Sequence, residues 1–147
     1  MNRPMTVRHE FVEFIPNELH EGVMYVSIPY ATVVHSCLSG CGQEVVTPLS
    51  PADWELVFDG ETISLYPSIG NWSLPCRSHY WIRRNKVIWA RTWSGAEINR
   101  ARSMYRSNRE SYFDRRLRSE PEAHPEAMPG DRKKGLWATL KGWFSRS

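Results

Sequence analysis

Between residues 9 and 93 the apolar positions follow the period of β-strands. "HEFVEFI" alternates with period two, "GVMYVSI" is β-branched and aromatic, and "ATVVH" resumes after Pro29. "PNELHEG" separates the first two runs with the Pro, Asn and Gly of a turn. "EVVTPL" continues the pattern. Asp59-Gly60, flanked by "WELVF" and "TISLY", then predicts a hairpin. "HYWIRRNKVIWA" predicts a second, with Trp81, Ile82, Val87, Ile88 and Trp89 on its arms around "RRNK". Six or seven short antiparallel strands account for this region, so the fold class is mainly β (α+β overall).

The pattern changes at residue 94. Ser94 and Glu97 make a Ser-x-x-Glu capping box. They open "SGAEINRARSMYRSNRESYFDRRLR", a proline-free helix over 94–118 with an intermittent stripe of Ile98, Ala101, Tyr105, Tyr112, Phe113 and Leu117. Seven Arg stand there against Glu97, Glu110 and Asp114, giving a basic surface suited to solvent or to an acidic partner. Residues 119–131, "SEPEAHPEAMPGD", read as a Pro-rich linker. The tail 132–147 carries Leu136, Trp137, Leu140, Trp143 and Phe144 at helical spacing among Lys133, Lys134 and Lys141. So short a helix is marginal alone. It orders on a membrane surface, in a partner's groove or on its own domain. Residues 1–93 are the expected β domain.

Composition narrows the classes. At 147 residues the chain is one ordinary domain with an appendage, and seven Trp help to build its core. A formal charge of +3, with no basic stripe in the β part, argues against nucleic acid as the partner. The N-terminal "MNRPMTVRHEFVEF" has no apolar stretch like a signal peptide's, and no run approaches a membrane span. The expectation is therefore a cytoplasmic protein whose three cysteines are reduced.

Those cysteines carry the chemistry. Cys37 and Cys41 sit in "HSCLSGCG", and Cys76 precedes His79 in "PCRSH". Cys37-x3-Cys41 plus Cys76-x2-His79 is a Cys₃His set for one zinc ion. Ser39, Gly40 and Gly42 let the backbone curl around it. His35, two residues before Cys37, is a spare: it replaces His79, orients a ligand, or moves protons. A closed four-ligand site would be structural; three thiolates with a bound water would be catalytic. In the catalytic case Glu44, His35 or an unligated His79 is the candidate base. Ser68 and Asn71, in "YPSIGNW" between the ligand pairs, offer hydrogen bonds to a substrate or an oxyanion. "PCRSH" is similar to the Pro-Cys-x-x-Cys half of a zinc-deaminase signature, with His79 at its last position, but the His/Cys-x-Glu half is missing, which excludes deamination. Phosphate-binding Gly-rich loops, a Gly-x-Ser-x-Gly elbow and a His-Glu-x-x-His helix are also missing.

Over residues 9–93, the His-x-Cys…Cys-Gly, Pro-Ser-Ile-Gly-Asn and Cys-x-Ser-His-Tyr-Trp blocks make the chain resemble bacterial proteins of the domain of unknown function 6527 family. Members often have a further cysteine where this chain has Ser39. The resemblance implies a component of a bacterial ubiquitin-like conjugation operon linked to phage defence. Its partners would be a ubiquitin-like protein and its activating and conjugating enzymes. It also implies a zinc-dependent peptidase that matures or removes the ubiquitin-like tag. The alternative is a non-catalytic, zinc-stabilised adaptor that binds the same partners.

Overall fold

The structure is a computed structural model and describes residues 5–119. The tail at 132–147, and all of the Pro-rich stretch beyond Ser119, lie outside the described residues. Met1–Phe113 form one compact unit, and a second begins at Asp114.

The described chain is mostly β. In order it has β1 (Met5–Thr6), β2 (Arg8–Phe11), β3 (Val23–Ser27), β4 (Thr32–Ser36), β5 (Glu44–Pro48), β6 (Glu55–Phe58), β7 (Ile63–Gly70), β8 (His79–Arg83), β9 (Lys86–Trp89) and helix α1 (Gly95–Ser119). One sheet runs β1-β9-β8-β7-β6 and the other β2-β3-β4-β5. Both contribute to one core: Met24, Val26 and Val33 from the second sheet meet Ile63, Leu65, Tyr80 and Ile82 from the first, all of them fully buried. β5 shows the expected alternation, with Val45 and Thr47 inward and Glu44 and Val46 outward.

The two predicted hairpins are present. Asp59 organises the first turn by accepting from the Thr62 and Glu61 amides at 2.6 and 2.9 Å. In the second, Arg84 and Asn85 both have positive φ between paired Arg83 and Lys86, the geometry of a two-residue primed turn. One pairing departs from the expected antiparallel arrangement: β2 runs parallel to β3, from Arg8↔Val23 to Phe11↔Val26. The eleven residues between them are a connection long enough to return the chain to the same end of the sheet, as a parallel pair requires.

Two local features position the site. Leu65 pairs with Ile82 and Ile69 with Tyr80, so Tyr66, Pro67 and Ser68 stand opposite Trp81 alone. Such a bulge re-aims the side chains it carries. The segment after β9 is tied to β8 by the Ala90 amide, which donates to the His79 carbonyl at 2.9 Å. It then enters α1 through the predicted capping box, Ser94 N–H to Glu97 at 2.8 Å and Glu97 N–H to Ser94 at 3.3 Å. The helix seats Ile98 in the body, sets Tyr105 against Trp54, and brings Tyr105 and Arg109 to the Asp53 carboxylate. Among the described residues no helix is long and apolar enough to cross a membrane.

Candidate active site

The turn after β4 and the turn before β8 bring the three cysteines together. Their sulfurs all lie within 4.8 Å of one another. Cys37 Sγ and Cys76 Sγ are 3.7 Å apart, against an edge of about 3.8 Å for a tetrahedron with the usual zinc–sulfur bond. The first turn is closed by the Cys37 amide on the Gln43 carbonyl (2.8 Å) and the Gly40 amide on the Cys37 carbonyl (3.0 Å). Gly40 and Gly42 have the left-handed φ this needs, +81° and +77°. Ser39 and Ser78 place hydroxyls 3.2 and 3.3 Å from Cys37 Sγ. Burial pushes the Cys37 thiol up. At Cys76 burial acts the same way, but hydrogen bonds with Ser39 and Ser78 outweigh it and bring the thiol down to about 6. The donor set fits a soft or borderline cation such as zinc.

His79 is not in that group. It is the first residue of β8, and its Nε2 lies 2.8 Å from Ser68 Oγ. The expected Cys₃His set is thus divided into three cysteines on one side and a Ser–His pair on the other. The arrangement is local: β8 starts at His79, and Ser68 lies on β7, the strand paired with it. The other expected site residues are placed elsewhere. His35 is fully buried on β4, with Nε2 2.8 Å from Tyr80 Oη, and burial lowers it to about 3. A histidine so buried is held in its neutral form. Asn71 is buried with its amide donating to Ser78 Oγ at 3.0 Å and Tyr80 Oη at 3.2 Å. It braces the cysteine side. Glu44 lies exposed at the start of β5.

Burial lowers the His79 imidazole as well, so it is neutral at pH 7. In the tautomer that lets Nε2 accept from the Ser68 hydroxyl, the proton sits on Nδ1. That atom is buried and has no hydrogen-bond partner among the described residues. Three indoles surround the ring: Trp93 at 4.5 Å and 86°, Trp72 at 5.3 Å and 62°, and Trp81 at 5.3 Å and 35°. Sequence reasoning passes over these residues as core. The only sequence signal for them is Trp81 standing two residues after His79 on the same face of a strand.

A cleft of about 930 Å³ opens beside the imidazole, touching His79 and not Ser68. Trp72, Trp93, Leu38 and Ile98 supply apolar wall, and Arg77 and Arg91 supply cations. No Asp or Glu lines it among the described residues.

A serine hydroxyl within hydrogen-bonding reach of a neutral imidazole is the minimal apparatus for acyl transfer. No curated protein and no solved structure matches the chain. One family model does match, over residues 11–90, and it is described as the bacterial ubiquitination-like system serine protease, BubE. The matched segment exceeds half of the chain and contains both Ser68 and His79. On that match the chain belongs to the BubE family, the serine proteases of the bacterial ubiquitination-like system.

Proposed function

We propose that this chain is a serine protease in which Ser68 is the nucleophile and His79 its general base, acting on the ubiquitin-like protein of its system. The observation that carries the reading is the 2.8 Å contact between Ser68 Oγ and His79 Nε2. As Ser68 Oγ attacks the scissile carbonyl, its proton passes to Nε2 and the imidazole becomes imidazolium. The imidazolium then returns that proton to the departing amine, leaving an acyl group on Ser68. Water attacks the acyl carbon, again losing its proton to Nε2, and the Ser68 oxygen is released as a hydroxyl. The cleft beside His79 is the natural bed for the peptide that precedes or follows the scissile bond.

The cysteines then hold rather than react. Cys37, Cys41 and Cys76 are the proposed zinc ligands, joining the turn after β4 to the turn before β8. The metal would supply rigidity there, by cross-linking the two turns. Ser68 and His79 do the proton and acyl chemistry without it. Glu44 and His35 take no part in that chemistry: one is exposed on β5 and the other is sealed against Tyr80. Partners follow from the family's system. They are a ubiquitin-like precursor or conjugate as substrate, the activating and conjugating enzymes as companions, and antiviral defence as the setting.

The test is cleavage of a ubiquitin-like precursor of the same system, or of its conjugate, by purified protein. Wild type and Glu44→Gln should cleave, and Ser68→Ala and His79→Ala should not. Cleavage by Ser68→Ala at the wild-type rate would refute the assignment. Binding of the ubiquitin-like protein without cleavage by wild type would favour the adaptor reading.

A further inference from the structure

A Ser–His pair normally has a third member. In the familiar triad a buried carboxylate accepts the Nδ1 proton, fixes the tautomer and stabilises the imidazolium as it forms. Here the imidazole is 6% exposed, its Nδ1 has no hydrogen-bond partner, and the cleft at its side is lined by Arg77 and Arg91 and by no carboxylate among the described residues. Arg91 is itself paired with Glu97 at the start of α1. Among the described residues, then, something other than an acid orients this ring and offsets the positive charge it acquires.

Indole faces are what the structure supplies. Trp72, Trp81 and Trp93 come from three separate segments: the turn after β7, the middle of β8, and the stretch between β9 and α1. All three have ring centroids within about 6 Å of the imidazole, the range over which an aromatic quadrupole attracts a cation. Trp93 stands nearest, crossing the imidazole almost at a right angle at 4.5 Å. That is the arrangement in which the N–H edge of one ring meets the π face of another. Trp72 is stacked on Trp93 at 5.3 Å and 27°, so the two indoles brace each other. Gly70, the last residue of β7, makes room for this: a Cβ there would lie 2.5 Å from the Trp72 ring.

We infer that Trp72, Trp81 and Trp93 form an aromatic cage that takes the place of the triad carboxylate, holding His79 with Nε2 toward Ser68 and Nδ1–H against the Trp93 face. The three are positioning residues. None touches the scissile bond. They limit rotation of the imidazole and stabilise the imidazolium through their π faces, without placing a second charge in the site.

The inference rests on Ser68 and His79 being the reacting pair, and the experiment separates the two ideas. A fluorophosphonate probe is incubated with wild type, His79→Ala, Trp93→Leu and Trp93→Phe, and modification of Ser68 is followed by peptide mass spectrometry. The His79 ring is observed in parallel by ¹H–¹⁵N NMR of unreacted protein. Wild type should label at Ser68 and His79→Ala should not. Trp93→Leu should label about 10- to 100-fold more slowly, the order expected when a reacting group is misplaced, and Trp93→Phe should recover to within a few-fold. The wild-type ring should be the Nδ1–H tautomer, its proton shielded by the indole and shifted upfield of a hydrogen-bonded imidazole. Should Trp93→Leu fail to fold, Trp93→Phe and the wild-type spectrum still decide. No labelling of wild-type Ser68 overturns the dyad and the cage together. Wild-type labelling rates in Trp93→Leu, an Nε2–H tautomer, or a far-downfield Nδ1–H of the kind a carboxylate produces overturns the cage and leaves the dyad standing.

Discussion

Gly70→Ala is the smallest change that reaches the imidazole without touching it. Gly70 pairs with His79 across β7 and β8, and its φ is not in the left-handed region, so the backbone itself accepts alanine. Space is the obstacle. The new methyl would stand 2.5, 2.6 and 2.8 Å from Cη2, Cζ2 and Cε2 of Trp72, whereas carbon atoms ordinarily approach to about 3.5–4.0 Å. Something must move by about 1 Å. The atoms in the way all belong to the six-membered ring of a half-buried indole, a side chain and not backbone, so the ring yields before the strand ladder does. Stability should fall by about 1 kcal/mol, the low end for overpacking, and Tm by about 2–4 °C. Activity should fall further, because Trp72 stacks on Trp93 and also walls the imidazole. A displacement of about 1 Å near reacting atoms can cost as much as 100-fold. Fluorophosphonate labelling of Ser68 should therefore slow by 10-fold or more in a protein that melts only slightly lower. Labelling at the wild-type rate would refute the reasoning, since Trp72 would then be packing alone. A Tm lowered by more than 10 °C would show that the ladder had given way and not the ring.

Three further outcomes follow from the same geometry. Burial holds His79 below its ordinary 6.5. The base form thus predominates at neutral pH, and the labelling rate should decline as pH falls through a midpoint under 6.5; a midpoint above 6.5 contradicts the assignment. Elemental analysis should find about one zinc per chain. Chelation or Cys76→Ala should lower Tm while Ser68 still labels at temperatures where the protein remains folded; loss of labelling at unchanged Tm would instead mark the metal as catalytic. Tyr80→Phe removes the hydroxyl that meets His35 Nε2 at 2.8 Å and Asn71 Nδ2 at 3.2 Å. Because Asn71 retains Ser78 and His35 retains nothing at either nitrogen, the cost should be about 2–4 kcal/mol by urea denaturation, and a loss below about 0.5 kcal/mol would refute it.

Much of the fold was legible because local rules and tertiary structure agree. Asp59 and the Arg84-Asn85 pair carry turn chemistry that needs no partner elsewhere. The capping box at Ser94 and Glu97 is likewise a contact between near neighbours, and it forms as expected. The parallel pairing of β2 with β3 was not legible. Strand direction depends on where the intervening residues 12–22 lead the chain, and neither strand encodes that path. The three cysteines were readable as a group, since each falls in one of two turns, Gly-rich or Pro-entered, that can bring thiols to a common point. The burial of His35 was hidden because a histidine two residues before a cysteine looks the same in sequence whether it faces the metal or the core.

The Ser–His pair was hidden for a different reason. Ser68 and His79 are eleven residues apart on neighbouring strands, and the pairing that sets them side by side cannot be read from either strand alone. The ladder between them is irregular there, with Tyr66, Pro67 and Ser68 set against Trp81 alone. Two neighbouring strands and a helix cap suffice to build a site that has no carboxylate partner among the described residues. The strand supplies the base at His79 and one wall at Trp81 on the same face. The strand's neighbour supplies the nucleophile and, through Gly70, room for Trp72. The capping segment of α1 supplies Trp93. Each wall is anchored by structure that forms for its own reasons, whether ladder, turn or helix cap. An imidazole fixed by packing from three directions does not need a charged anchor. A buried carboxylate in its place would carry a desolvation cost of several kcal/mol that this small core would have to offset. Introducing one is therefore informative: Trp93→Asp should destabilise the protein by more than Trp93→Leu despite restoring the formal triad. A Trp93→Asp protein that is both stable and faster than wild type would show that the indoles were a poor substitute and not the working arrangement.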